Sequence, residues 1–411
     1  MALSPAVPAD TSPAAAPGRG LLPLLLVANT AMYSLYIGVG GLLLALQVEH
    51  VDPANKVTDF GLIAGVSAIF ATVFNPVAGA LSDRSGRRNP WILGGGLAAV
   101  PAMLLLGLAD TILLITLAWC LGQAVMNVYQ AALTSVVPDR VPVTARGRAS
   151  AAVGLGLPFG SAAGALAGAA FSEDYRTGYL LFGAIVAAAA VLFIGCTRER
   201  RLPARAPLPV RAQLAAFVSA LRDHDFRWAF IGRALLVLGY FAVSGYQLYV
   251  LQDHTVLPGG MKPEAAVAVL TPLTSVAMAV STVLGGWLSD RLDRRKLFVG
   301  ASALLSAVAL AIPAVSPSWP AMLAFAVVNG LAFGCYMAVD TALVTMVLPR
   351  AEDAARDMGV LNVANAGPQI VAPFVASVVV TVSGGYTALF VVAAVLAVAG
   401  ALAVRPIRGV R

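Results

Sequence analysis

Charge is what this chain has least of. Only 11% of its 411 residues are Asp, Glu, Lys or Arg, against about 25% in a soluble domain, and a water-facing surface of this size cannot be built from so few. Cysteine and histidine are scarcer still. Cys120, Cys196 and Cys335 lie inside apolar runs with no Cys-x-x-Cys spacing, and His50, His224 and His254 are scattered. That excludes a disulfide framework and offers no metal site, and no cofactor is expected. There is no Gly-x-x-x-x-Gly-Lys-Ser/Thr loop, which excludes a nucleotide-driven pump on this chain. Residues 1–18 are rich in Ala, Pro and Ser and lack a basic start; they read as a disordered N-terminal tail rather than a signal peptide.

What is present is apolar: 59% of the residues are hydrophobic. Runs long enough to cross a bilayer, about 20 residues each, recur at 21–47, 60–82, 90–109, 111–137, 149–171, 178–196, 227–252, 265–289, 297–315, 319–347, 358–382 and 385–404. The runs are continuous rather than alternating, which argues against a membrane β-barrel. The fold class expected is an all-α integral membrane protein of about twelve transmembrane helices, arranged as two pseudo-symmetric six-helix bundles. The 39 Gly and 25 Pro fit membrane helices, where bundle neighbours satisfy freed backbone groups.

The few cations are sorted by side. Arg84, Arg87 and Arg88 follow the second run, Arg140, Arg146 and Arg148 the fourth, Arg291, Arg294, Arg295 and Lys296 the eighth, Arg350 and Arg356 the tenth, and Arg405, Arg408 and Arg411 end the chain. The alternate loops hold only Lys56, Arg176 and Lys262. By the positive-inside rule both termini are cytoplasmic, in a multi-pass protein of the cell (plasma) membrane. The net charge of +7 then needs no nucleic-acid partner. Residues 19–196 form the N-terminal six-helix bundle and 227–404 the C-terminal one, joined by a cytoplasmic linker at 197–226, with a cytoplasmic tail at 405–411. The linker opens extended, with Pro203, Pro207 and Pro209, and turns mildly amphipathic over 210–223.

The chain contains an internal repeat. Gly79-Ala-Leu-Ser-Asp-Arg84-Ser-Gly-Arg-Arg88 aligns without a gap to Gly286-Trp-Leu-Ser-Asp-Arg291-Leu-Asp-Arg-Arg295, with Asp293 in the place of Gly86; at the same offset Tyr129 falls on Tyr336. Repeats in corresponding spans are typical of secondary transporters. A Gly-x-Leu-x-Asp-Arg-x-Gly-Arg-Arg loop between spans two and three resembles the signature of the major facilitator superfamily. Asn127-x-x-Gln130 with the run to Pro138, Tyr336-Met-Ala-Val-Asp340, and Arg356 through Gln369 resemble its sucrose and glycoside–cation symporter branch. The Gly-Pro-x-x-Gly-Gly pattern of the drug-antiporter branch is matched only in part by Gly154-Leu-Gly-Leu-Pro158-Phe-Gly160. The resemblance implies a secondary active transporter, not an enzyme, working by alternating access. Its expected task is proton-coupled symport of a sugar or similar small polar solute. The alternative is a proton-coupled antiporter exporting drugs or metabolites. Its partners are a small-molecule substrate, protons or another cation, and the lipid bilayer; it reads as a functional monomer.

Polar residues recur at helical spacing inside the runs: Asn29, Tyr33 and Tyr36; Gln123, Asn127 and Gln130; Arg233, Tyr240, Ser244 and Gln247; Asn329, Phe333, Tyr336 and Asp340; and Asn362, Asn365 and Gln369 beside a helix-breaking Pro368. Lipid offers such groups no partner, so the stripes face protein or water. The first four sit in spans one, four, seven and ten, which line the central cavity in the superfamily; a substrate cavity is expected there. Helix–helix hydrogen bonding is the plainer reading of any single amide.

Arg233 and Asp340 are the charges clearly inside spans. A carboxylate at helix centre costs about 2.5–3.5 kcal/mol on insertion scales, so Asp340 is paired or protonated part of the time. Proton coupling through Asp340 and Arg233 is one reading; a purely structural pair is the other. By resemblance, Asp83, Arg84, Arg87 and Arg88, with Asp290, Arg291, Arg294 and Arg295, form a cytoplasmic gate that latches helices when the opposite face is open.

Overall fold

A computed structural model describes residues 20–142, 145–199, 219, 221–346 and 354–408, without the side chains of residues 341, 344–345 and 354–362. The expected tail at 1–18, most of the 197–226 linker, the end of the 405–411 tail and the Asn362 side chain lie outside it.

Twelve helices among the described residues are long and apolar enough to cross a membrane. They are α1 (Leu21–Val51), α2 (Lys56–Ser85), α3 (Asn89–Leu108), α4 (Ile112–Arg140), α5 (Arg146–Ala170), α6 (Tyr175–Cys196), α7 (His224–Ser244), α8 (Pro263–Leu292), α9 (Arg295–Val315), α10 (Trp319–Met346), α11 (Ala354–Ser383) and α12 (Tyr386–Ala403). Several run about a turn past the apolar runs that predict them, because a helix continues to its cap rather than to its last apolar residue. Asp174 caps α6 through the Thr177 N–H at 3.2 Å, and Asp223 caps α7 through the Phe226 N–H at 3.0 Å. The seventh run is the exception. It breaks after Ser244, and a short helix, Gln247–Asp253, follows.

α1 is not uniform. Tyr36–Leu43 is a π-helical stretch, reading Tyr-Ile-Gly-Val-Gly-Gly-Leu-Leu. Gly38 there sits directly under the Phe182 ring, where any Cβ would collide; π-helical geometry is rare and is frequent at functional sites.

Within the first half, α1 packs on α5 and α6, α3 on α4 and α6, and α2 on α4; in the second, α8 and α9 pack on α10, and α7 and α9 on α12. The halves join mainly through α2 with α11 and α5 with α8. The outer surface is apolar: Leu104, Leu117, Val191, Val283, Val308 and Val395 are all exposed. So large an apolar surface has a bilayer as its solvent. The repeat holds in the backbone as well. Gly86 ends α2 at φ 62°, and its counterpart Asp293 ends α8 at φ 50°. Asp is among the few side chains that tolerate this left-handed position, which explains how the second copy departs from glycine.

Candidate functional site

Arg233 lies nine residues into α7 and Asp340 six residues from the end of α10. At 1.5 Å per residue both sit about 9–13 Å in from the same end of the bundle, and they meet. Arg233 Nε is 3.5 Å from Asp340 Oδ2, and both side chains are almost wholly buried. Neither of those two atoms has a hydrogen-bond partner. A buried pair that leaves polar atoms unsatisfied is costly and unusual in a purely structural role. The Tyr336 hydroxyl, one turn before Asp340, reaches its carboxylate. A turn deeper, Tyr240 stacks on Phe333 with centroids 3.7 Å apart and planes at 13°.

The first half gathers neutral groups instead. The Tyr36 hydroxyl donates to Gln130 Oε1 at 3.2 Å, Asn127 Nδ2 donates to the Tyr36 oxygen at 3.5 Å, and Asn75 Nδ2 donates to Asn127 Oδ1 at 3.1 Å. This cluster ties α1, α2 and α4 together at the π-helical stretch. Tyr33 lies beside Tyr36, ring centroids 6.5 Å apart.

Other members of the expected stripes are engaged elsewhere. Asn329 Oδ1 accepts from Ser306 of α9 at 2.9 Å, and Asn29 turns back to the Leu25 carbonyl at 2.8 Å beneath α5 at Gly156. Both amides are engaged in helix packing: a period fixes the face of a helix, not the neighbour on that face. Ser244 bonds to the Tyr240 carbonyl and Gln369 to the Asn365 carbonyl, each on its own helix. Gln123 and Gln247 are half-buried.

The two copies of the charged loop are held differently. Arg88 is buried, and donates to Asp83 and Ser82 and, through Nε, to Asp139 at 2.8 Å. Burial works against its charge, but Asp139 and Asp83 more than offset this and hold its pKa above the ordinary arginine value. Glu199 accepts from the main-chain N–H groups of Arg88 and Asn89 at 2.5 and 2.7 Å. In the second copy Arg295 reaches Asp290 at 2.9 Å and the Met346 sulfur at 2.6 Å, while Arg295 Nε and the Ser289 hydroxyl stay unpartnered. Arg291 lies over the Trp287 ring, and Arg84, Arg87 and Arg294 are exposed.

These loop contacts stay within one half. The polar contacts that join the halves gather at the opposite end. Lys56 binds Glu49 at 2.9 Å, Asp253 at 3.0 Å and Gln252 at 3.2 Å, and Gln252 donates to Glu49 at 2.8 Å. The Tyr246 hydroxyl reaches the Val57 and Pro373 carbonyls, and Tyr249 reaches the Ala45 carbonyl. Lys262 pairs with Glu173 at 2.6 Å. In the sequence Lys56 and Lys262 are only stray cations on the poorer side; their partners across the halves, Asp253 and Glu173, lie 197 and 89 positions away along the chain.

The Major Facilitator Superfamily profile matches residues 24–255 and 262–410. The chain belongs to the major facilitator superfamily. It is a multi-pass membrane protein of a transporter family. Curated superfamily relatives include the multidrug resistance protein MdtG of Citrobacter koseri, 26% identical over 62% of this chain and 61% of that protein. Others are the multi-drug resistance efflux pump PmrA of Streptococcus pneumoniae, 30% identical over 37% of this chain and 39% of that protein, and the fujikurins efflux protein of Gibberella fujikuroi, 25% identical over 84% and 72%. The chain thus spans less than two-thirds of MdtG and PmrA. Solved structures share the fold. A peptide transporter, POT, in complex with sulfate superposes with a TM-score of 0.74 at 14% identity, covering 95% of this chain and 94% of that one. A bacterial homologue of the human lysosomal transporter Spinster gives 0.69 at 17%, covering 95% of each.

Proposed function

We propose that this chain exports small organic solutes in exchange for protons, by alternating access, with Asp340 and Arg233 as the coupling pair. The observation that carries the reading is the buried, incompletely satisfied Arg233–Asp340 contact between α7 and α10. Protonating Asp340 removes the charge that holds Arg233, and that difference lets one proton bias a two-state equilibrium. The efflux proteins among its relatives favour export over the sugar symport that the sequence motifs resemble. About two turns deeper than the pair, the stacked Tyr240 and Phe333 put aromatic rings between α7 and α10, a wall suited to a moderately apolar ligand.

The basic end is taken as cytoplasmic, in the plasma membrane, by the positive-inside rule. The halves are then joined on the outer side, and the loops at Asp83–Arg88 and Asp290–Arg295 form the gate that has released on the inner side. The substrate site in this reading comprises Tyr33, Tyr36, Gln123, Asn127, Gln130, Tyr240, Ser244, Gln247, Tyr336, Asn365 and Gln369. A second reading, proton symport of a polar solute such as a sugar, is favoured by the Tyr36–Asn127–Gln130 cluster, whose donors and acceptors suit hydroxyl groups.

Proteoliposomes with an imposed pH gradient test it. Under exchange, adding a transported solute dissipates the gradient as solute and protons move in opposite directions. Co-movement of solute and protons supports the second reading, and solute flux without proton flux removes both.

A further inference from the structure

The corner where α3 begins and α6 ends is filled by the chain itself. The Glu199 carboxylate, three residues past α6, takes the two main-chain N–H groups described above and lies 3.5 Å from Arg140. By the repeat, Arg88 and Asn89 correspond to Arg295 and Lys296 at the start of α9. The segment that follows α12, from Val404 onward, contains Arg405 and Arg408 and no acid. Among the described residues, no carboxylate accepts from the main-chain N–H groups of Arg295 and Lys296 as Glu199 does from those of Arg88 and Asn89.

What stands there is a cavity of about 790 Å³ between the end of α8, the first turns of α9 and the end of α12. Three cations line it, Arg294, Lys296 and Arg405, against one carboxylate, Asp293. Lys296 is committed: its ammonium donates to the main-chain carbonyls of Arg405 and Ile407 at 2.7 and 2.6 Å, fixing the floor. The guanidinium groups of Arg294 and Arg405 have no acceptor among the described residues. The remaining wall is apolar and faces outward; Leu297 is 58% exposed, Leu304 47% and Leu402 46%. These leucines continue the lipid-facing surface of α9 and α12.

We propose that this cavity binds the headgroup of an anionic phospholipid, with the phosphate between Arg294 and Arg405 and the acyl chains along Leu297, Leu304 and Leu402. Charge selects the headgroup, since basic pockets between membrane helices near the positively charged face attract anionic lipids. The apolar wall selects lipid over free phosphate, which has no use for it. The lipid phosphate supplies, near this corner of the second half, the negative charge that the Glu199 carboxylate supplies in the first. The inference does not depend on which solute is carried.

The test uses the full-length chain, purified and delipidated in detergent, with bound lipid counted by native mass spectrometry. Phosphatidylglycerol should bind about thirtyfold more tightly than phosphatidylcholine, at roughly 1 kcal/mol for each of the two free arginines. Arg294→Gln and Arg405→Gln should each lose about fivefold of that preference, with phosphatidylcholine binding unchanged. Gly300→Leu keeps every charge but fills the cavity, since an added Cβ at Gly300 meets nothing within 4 Å; it should abolish the preference. A thermal unfolding midpoint equal to the parent's confirms that each variant is folded. Equal affinity for the two lipids, an undiminished preference in the arginine or Gly300 variants, or displacement of phosphatidylglycerol by millimolar inorganic phosphate overturns the proposal; the last would mark a free-anion site.

Discussion

The loops at Leu81–Arg88 and Leu288–Arg295 have nearly one sequence and two different surroundings. In the first, the terminal arginine is buried and has three side-chain partners; in the second, it is half-buried and one of its nitrogens has none. A single substitution accounts for much of the contrast. Asp139 at the end of α4 corresponds, at the offset of the repeat, to Met346 at the end of α10, and each touches the arginine of its own half. The first half closes its loop with acids and keeps neutral amides at depth. The second leaves its loop loosely tied and places its charged pair inside the bundle. The difference teaches that one repeated loop can be held in two ways: the first half ties it down with buried acids, and the second half leaves it exposed and buries its ion pair, Arg233–Asp340, inside the bundle.

The sharpest way to break that comparison is at the arginines. Arg88→Ala leaves Asp139, whose side chain is only 4% exposed, as an uncompensated buried charge. It should cost about 3–5 kcal/mol of stability, read as a large fall in the detergent unfolding midpoint. Lys56→Ala comes next. It removes the shared partner of Glu49 and Asp253 at the end where the halves join, and should weaken that joint by about 1.5–3 kcal/mol. Distances between spin labels placed on either side of the joint should lengthen and broaden; an unchanged distribution would show that the Tyr246 and Tyr249 contacts suffice alone.

The second loop should respond far less. Arg295→Ala should cost no more than about 1 kcal/mol, because Asp290 is exposed and the pair is screened. Met346→Asp, which copies the first half, should add stability of up to about 1 kcal/mol. Equal losses from Arg88→Ala and Arg295→Ala would erase the contrast. The smallest effect is at the Lys262–Glu173 pair. The hydrogen bond and charge of Lys262 hold the Glu173 carboxyl below its usual range. A lowered carboxylate value means that its contribution to the joint is present above the ordinary pKa of about 4.3 and fades only as pH falls through the lowered one. The difference between the parent and Glu173→Gln in label distance should therefore be constant from pH 8 to about pH 5; a change within that interval would contradict the assignment.

Much of the fold was legible in the sequence, because apolar length and the side on which arginines fall are local properties. Each of the twelve runs found a helix, and only the seventh was divided. The pairing of Arg233 with Asp340 was also legible, since lipid leaves a charge few options. Long-range partners were not. Nothing in the chain announces that Lys56 meets Asp253, that Glu199 closes the start of α3, or that Asn75 completes the Tyr36–Asn127 cluster. Asn329 shows the limit of periodicity: it has the right spacing for the cavity face, yet Ser306 of α9 takes its side chain. Arg88 and Arg295 show the limit of motif reading, since one motif gives two burials when the residue opposite changes from Asp to Met.

Asp340 offers the most direct test of the account. Asp340→Asn, reconstituted in proteoliposomes, keeps the shape of the side chain but cannot release a proton. It should abolish solute movement against a gradient driven by pH, while solute-for-solute exchange continues at a rate close to that of the parent. Undiminished uphill transport by Asp340→Asn would contradict the account, and place the coupling outside the Arg233–Asp340 pair.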